Sequence, residues 1–227
     1  MHSLDELIDA TDPALPLLED WIDDASSDVE VLPVDQAAAE ATLVALQVTT
    51  RSALGALALH TGGILVDGGW LRILAGGSPR MERSLATWNQ IGAPSVRLPG
   101  AMLVGEDVLG GFFAIDGGAF GGTPGRVWYM SPDTLEWECL DLGHADWLHW
   151  ALTGDLDTFY ETVRWPGWEA EVAALAPDRA ISVVPFLWAE GPPVGERSRR
   201  DVPLEELWRL QLELRRQLAG ATGGAQA

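Results

Sequence analysis

Ala101-Met102-Leu103-Val104-Gly105-Glu106-Asp107-Val108-Leu109-Gly110-Gly111-Phe112-Phe113-Ala114-Ile115-Asp116, followed after a glycine-rich string by Arg126-Val127-Trp128-Tyr129-Met130, decides the fold of this chain. The apolar runs are too short for a helical stripe, are rich in β-branched and aromatic residues, and are separated by Gly-Gly pairs, so they read as strands joined by turns. The same texture extends outward to Ile64-Leu65-Val66 and Trp70-Leu71-Arg72-Ile73-Leu74 on one side and to Glu136-Trp137-Glu138-Cys139-Leu140 on the other. The centre is therefore expected to be an antiparallel meander of about five or six strands, interrupted by a short helix near residues 83–90.

Further out the period changes. Leu4, Leu7 and Ile8 behind Ser3, then Leu17, Leu18, Trp21 and Ile22 after Pro16, mark two short amphipathic helices. Val29 to Pro33 reads as extended, and Asp35 opens a helix expected to run unbroken from about 36 to 59, ended by Gly62-Gly63. Helices return at Asp146–Leu152, at 156–163 and at 168–175, and Ile181 to Trp188 reads as a strand that Pro185 confines to an edge. Pro203 starts a terminal helix to about 218. Helices at both ends of one meander make an α+β fold, a single domain over residues 1–219 with a disordered tail at 220–227.

The 227 residues carry 14 basic and 34 acidic side chains, a net charge of −20. Every basic residue is Arg, which excludes Schiff-base, P-loop and lysine-base chemistry. The charge balance opposes nucleic acid and anionic membranes and favours a basic protein partner. Residues 1–50 hold twelve acids and no Arg, whereas six of the fourteen arginines lie between Arg197 and Arg216, so the acidic N-terminal region is expected to lie near, or pair with, an Arg-bearing C-terminal helix. One cysteine, Cys139, permits neither a disulfide within the chain nor a thiolate cluster. The acidic N-terminus lacks a signal peptide's basic start and no stretch is apolar enough to span a membrane, so a cytoplasmic location is expected.

His144 and His149 lie five apart, off the four-residue spacing of zinc helices, and no metal or cofactor is expected. Residues 117–125 superficially resemble a phosphate loop, but a strand and not a helix follows, so they read as a hairpin connection. That connection exceeds the two to five residues a turn needs, and Phe120 in its middle is expected either to fold back as a plug on Trp70 or Trp88, the preferred reading, or to project as an anchor into a partner's pocket. Trp70 with Arg72, and Trp88, stand among polar neighbours and are candidates for an exposed groove. Asp133, Glu136 and Glu138 beside Trp128 and Trp137 suggest carboxylates flanking a stacked sugar, with Glu136 and Glu138 expected on one strand face and Trp137 on the other.

Leu57-Ala58-Leu59-His60-Thr61-Gly62-Gly63, the segment Met102 to Asp116, Gly125-Arg126-Val127-Trp128-Tyr129-Met130 and Asp146-Trp147-Leu148-His149-Trp150-Ala151-Leu152 resemble, in order and spacing, the elements of the SUKH superfamily over about residues 36–153. The whole chain resembles more closely a bacterial family of similar length and unknown function, through Gly69-Trp70-Leu71-Arg72-Ile73-Leu74, Gly110-Gly111-Phe112-Phe113-Ala114, Gly117-Gly118-Ala119-Phe120-Gly121, Thr134-Leu135-Glu136-Trp137-Glu138 and Glu206-Leu207-Trp208-Arg209-Leu210-Gln211. The SUKH resemblance implies an α+β protein-binding domain of the immunity type, which would neutralise a basic bacterial toxin or effector through Trp70, Arg72, Trp88, Phe120, Asp133, Glu136 and Glu138. The alternative is a small-molecule or carbohydrate-acting enzyme using the Trp and carboxylate residues around 128–138.

Overall fold

A computed structural model describes residues 1–223, with side chains as far as Leu218. The expected meander is present with one strand more: β1 (Val29–Val31), β2 (Ile64–Val66), β3 (Leu71–Ile73), β4 (Ala101–Asp107), β5 (Phe112–Asp116), β6 (Arg126–Met130) and β7 (Trp137–Gly143) pair antiparallel in sequence order. The added strand is the extended Val29 segment, which pairs with β2 from Val29↔Val66 to Val31↔Ile64.

The predicted long N-terminal helix is two helices, α3 (Gln36–Leu46) and α4 (Ala53–His60), which follow α1 (Leu4–Leu7) and α2 (Leu15–Asp23). Gln47 adopts a left-handed φ of 55°, the β-branched Val48, Thr49 and Thr50 follow, and the Ser52 side chain caps α4 by accepting from Gly55 N at 3.1 Å. Gly55 lets the reversing chain approach, because a Cβ there would lie 2.1 Å from the Thr49 carbonyl oxygen. α5 (Leu85–Trp88) occupies the place of the expected short helix, and α6 (His144–Thr153), α7 (Leu156–Phe159) and α8 (Trp168–Ala173) follow the sheet.

β8 (Arg179–Val184) is a strand, but outside the main sheet. It pairs with β9 (Ser198–Pro203), a run of Ser, Arg and Asp that carries no strand signature of its own. α9 runs over Leu204–Gly223, past the expected end near 218 and through the first part of the segment expected to be a disordered tail; the remainder of that segment, 224–227, lies outside the described residues.

Strand alternation distributes the core to both faces of the sheet. Phe112 meets Trp208 of α9 at 4.7 Å between ring centroids, whereas the adjacent Phe113 meets Trp147 of α6 at 5.3 Å and Tyr129 at 4.5 Å. Helices on both faces explain why β4 and β5 read as nearly continuous apolar runs. Gly105 lets α6 settle on the sheet: a Cβ there would lie 3.0 Å from the Trp147 ring.

Two charges inside β4 organise a buried polar centre. Arg83 pairs with Glu106, which is fully buried, and also with Asp178 just before β8. Arg72, the cross-strand neighbour of Glu106, donates to the carbonyls of Gly69 and Pro177 at 3.0 Å and to that of Arg179. These bonds clamp the β8–β9 hairpin to the sheet by its first residues.

Candidate functional site

Three of the seven candidate residues prove to be interior. Trp70 has no exposed surface and packs against Tyr160, Trp165 and Trp168; Trp88 is 6% exposed, with the Arg97 guanidinium 3.8 Å over its ring; Arg72 is 1% exposed. The exposed groove expected at Trp70 and Trp88 is therefore absent, because aromatic rings cover Trp70 and the Arg97 guanidinium covers Trp88, while Arg72 turns into the buried centre.

The other four gather where the loop of residues 117–125, β6, β7 and the turn at 131–136 meet. The loop begins at Asp116, whose Oδ1 accepts from the N–H groups of Gly118 and Ala119 at 2.7 Å and of Phe120 at 3.3 Å. The Gly100 carbonyl accepts two more, from Gly117 at 2.7 Å and Ala119 at 3.2 Å. Five hydrogen bonds from four backbone donors thus anchor a segment whose glycines invite freedom. The pinned loop lays Phe120 on Trp128 and Trp137, at 5.0 and 4.7 Å between centroids, and not on Trp70 or Trp88. Trp128 lies opposite Cys139 and Met130 opposite Trp137, so the two indoles are diagonal cross-strand neighbours.

These three half-buried rings wall a groove of about 700 Å³, completed by Glu136 and by Arg215 and Arg216 of α9. Phe120→Ala is expected to cost about 1–2 kcal/mol in chemical denaturation, between the value for a surface ring and that for a core ring. A loss above about 3 kcal/mol would restore the plug reading.

On the opposite face of the same strands Tyr129 and its cross-strand partner Glu138 line a recess of about 270 Å³, together with Asp133, Phe159 and Tyr160. Glu136 and Glu138 therefore serve different hollows, with Trp137 beside Glu136 and not opposed to both. The reason is that β7 begins only at Trp137, after a left-handed Leu135 with φ 59°, so strand alternation does not reach Glu136. Tyr129 donates from its hydroxyl to Asp107 Oδ2 at 2.7 Å, and Asp107 Oδ1 accepts from Leu109 N and Gly111 N at 2.9 Å. Burial pushes the Asp107 carboxyl up to about 6 against these hydrogen bonds, and burial followed by the Asp107 charge pushes the Tyr129 phenol up. Tyr160 is 1% exposed, burial raises its phenol, and its hydroxyl has no hydrogen-bond partner.

The expected pairing between the acidic N-terminal region and the C-terminal arginines does not occur among the described residues. Asp9 and Asp12 pair with Arg51, Glu30 with Arg80 and Glu6 with His2, while Arg199 pairs with Glu171 and Arg209 with Glu205. Of the six arginines from Arg197 to Arg216 only Arg199 and Arg209 form an ion pair among the described residues, and Asp20, Asp23 and Asp24 at the end of α2 have no ion-pair partner there. They sit at a helix C-terminus with no basic residue in the last turn, against the helix dipole.

Sequence reasoning missed Arg83, Glu106, Asp107, Tyr129, Tyr160, Arg215 and Arg216. Glu106-Asp107 ending an apolar strand was the available signal for the buried centre, since charges in such a run need partners. Among the described residues no group of three or more His, Cys, Asp or Glu is placed to hold a metal, and no helix is long and apolar enough to cross a membrane.

The uncharacterized protein YbfG of Escherichia coli K12 is 41% identical over 215 residues, covering 95% of this chain and 98% of that one. An uncharacterized protein of Haemophilus influenzae is 36% identical over 208 residues, covering 90% and 91% of the two chains. No solved structure matches. Residues 4–207 match the family described as "Protein of unknown function DUF2625", and the chain belongs to that family.

Proposed function

We propose that the chain is a cytoplasmic protein-binding domain that uses the groove and recess around β6 and β7 as its contact face, and that its partner is basic, in the manner of an immunity-type inhibitor of a bacterial toxin or effector. The observation that carries the reading is the Phe120–Trp128–Trp137 wall: large, partly exposed aromatic surface on β6 and β7, completed by Phe120 from a loop whose conformation five backbone hydrogen bonds hold in advance. Preordered aromatic surface is the common form of an interface hot spot, because little conformational freedom is left to lose on binding. The net charge of −20 and the uncompensated acids at the end of α2 supply the steering field for a basic partner. The SUKH-like order of elements over residues 36–153 points the same way.

The enzyme alternative draws on the same platform, with Glu136 beside Trp128 and Trp137. Asp133 and Glu138 line the neighbouring recess, and this separation favours binding over hydrolysis by two carboxylates across one sugar.

The test is capture from the producing bacterium and from a panel of purified basic toxins, with wild type and Trp137→Ala compared. A basic protein is expected on the wild type, with Trp137→Ala losing about 2 kcal/mol of affinity. Association should slow at least about tenfold between roughly 50 and 300 mM salt. A neutral or acidic partner, or binding indifferent to Trp137→Ala, contradicts the reading.

A further inference from the structure

We propose that the recess between β6, β7 and the segment around α7 receives a guanidinium group, the side chain of an arginine presented by the basic partner. This inference rests on the binding reading above and names what that face takes hold of. The recess, at about 270 Å³, is the size for a single side chain and not for a helix about 10 Å across.

Its chemistry is one-sided. Asp133 and Glu138 line it, no basic side chain does among the described residues, and neither carboxylate has an ion-pair partner there. The Asp133 carboxylate is held by the Ser131 hydroxyl, which sets its direction without neutralising it. The nearby Arg164 is already committed to Asp67 and Asp157.

The interior surface is aromatic. Phe159 lies 5.4 Å from Tyr129 and 4.7 Å from Tyr160 between ring centroids, so three π systems meet at the recess. The Tyr129 hydroxyl donates to the buried Asp107 and the Tyr160 hydroxyl is itself buried, so both phenols offer the recess ring surface. A flat, weakly hydrated cation with five N–H donors satisfies carboxylates and ring faces together, whereas an ammonium is a strongly hydrated point charge.

The experiment uses N-acetyl-arginine amide, whose only charge is the guanidinium, titrated into the full chain and followed by two-dimensional amide NMR. The expected result is a saturable set of shifts confined to residues 131–138 and 159–163, with a midpoint in the millimolar range. Glu138→Gln and Asp133→Asn, both at the accessible rim and neutral to folding, should each weaken binding about tenfold, as loss of one charge-assisted hydrogen bond implies. N-acetyl-glutamine amide should produce no saturable change. Absence of shifts up to about 50 mM, shifts elsewhere, insensitivity to both carboxylate variants, or tighter binding of N-acetyl-lysine amide would overturn the assignment. Because the probe needs no partner, a negative titration alongside successful capture of a basic protein removes this inference and leaves the binding reading in place.

Discussion

Arg83→Met is expected to destabilise the fold by about 3–5 kcal/mol at pH 7, the largest effect of any single charge removal in this chain. Arg83 is the ion-pair partner of Glu106, a carboxylate with no exposed surface, and also holds Asp178 and the Pro177 carbonyl. Removing the guanidinium leaves Glu106 charged in a medium that cannot solvate it. Burial already raises the Glu106 carboxyl, with Arg83 and then Arg72 opposing that rise, so the variant should recover part of its stability in acid, where Glu106 takes a proton. The loss belongs to the orphaned charge more than to the lost attraction. The double variant Arg83→Met with Glu106→Gln should therefore be more stable than the single one by about 2 kcal/mol or more. Urea denaturation decides it: a single-variant loss below about 1 kcal/mol, or a double variant no better than the single, would mean that the pair is not desolvated as the fold implies.

The second large effect is on pH dependence, where the buried Asp107 and the half-buried His144, whose Nε2 is buried, oppose one another. The Asp107 carboxyl is raised from 3.8 to about 6 by burial, so between those values the folded chain holds a proton that the unfolded chain has released. Stability from this group is present below pH 4 and is lost as pH rises towards 6. The His144 imidazole is lowered from 6.5 to about 4 by burial, so over nearly the same window the unfolded chain binds a proton that the folded chain refuses. Stability from His144 is present above 6.5 and is lost as pH falls towards 4. Each contribution is about 2–3 kcal/mol, and in the wild type they largely cancel. His144→Gln should expose the falling limb and Asp107→Asn the rising one. The remaining carboxylates contribute equally to wild type and variants and drop out of the comparison. Denaturation midpoints at several pH values from 4 to 7 that run parallel for all three proteins would refute the assignment.

Much of the sheet was legible in residues 64–140 because strand signals are local: apolar runs of a few residues, bounded by Gly-Gly, need no knowledge of what covers them. β1 and β9 escaped as sheet members for the converse reason. Val29–Val31 is too short to announce itself, and Ser198–Pro203 is a strand only because Arg179–Val184 offers it a ladder. The break at Gln47 was likewise hidden, since the apolar spacing of α3 continues in α4 while the chain reverses between them.

The candidate site divides along the same line. Phe120 was legible as out of place among glycines, but its neighbours were not, because ring contacts across β6 and β7 depend on register and on the carboxylate of Asp116 that fixes the loop. Asp133 and Glu138 were named for a sugar and found beside phenols.

By itself the sequence determined the α+β class, the meander order, the absence of lysine chemistry and the excess of negative charge, all of which follow from composition, period and local turn chemistry. Only the tertiary structure decided which charges are spent. It buried Arg72 and Arg83 with Glu106, consumed other arginines in local pairs, and left Glu138 and the end of α2 without partners, because an ion pair requires two side chains within about 4 Å and residue spacing along the chain does not specify that distance.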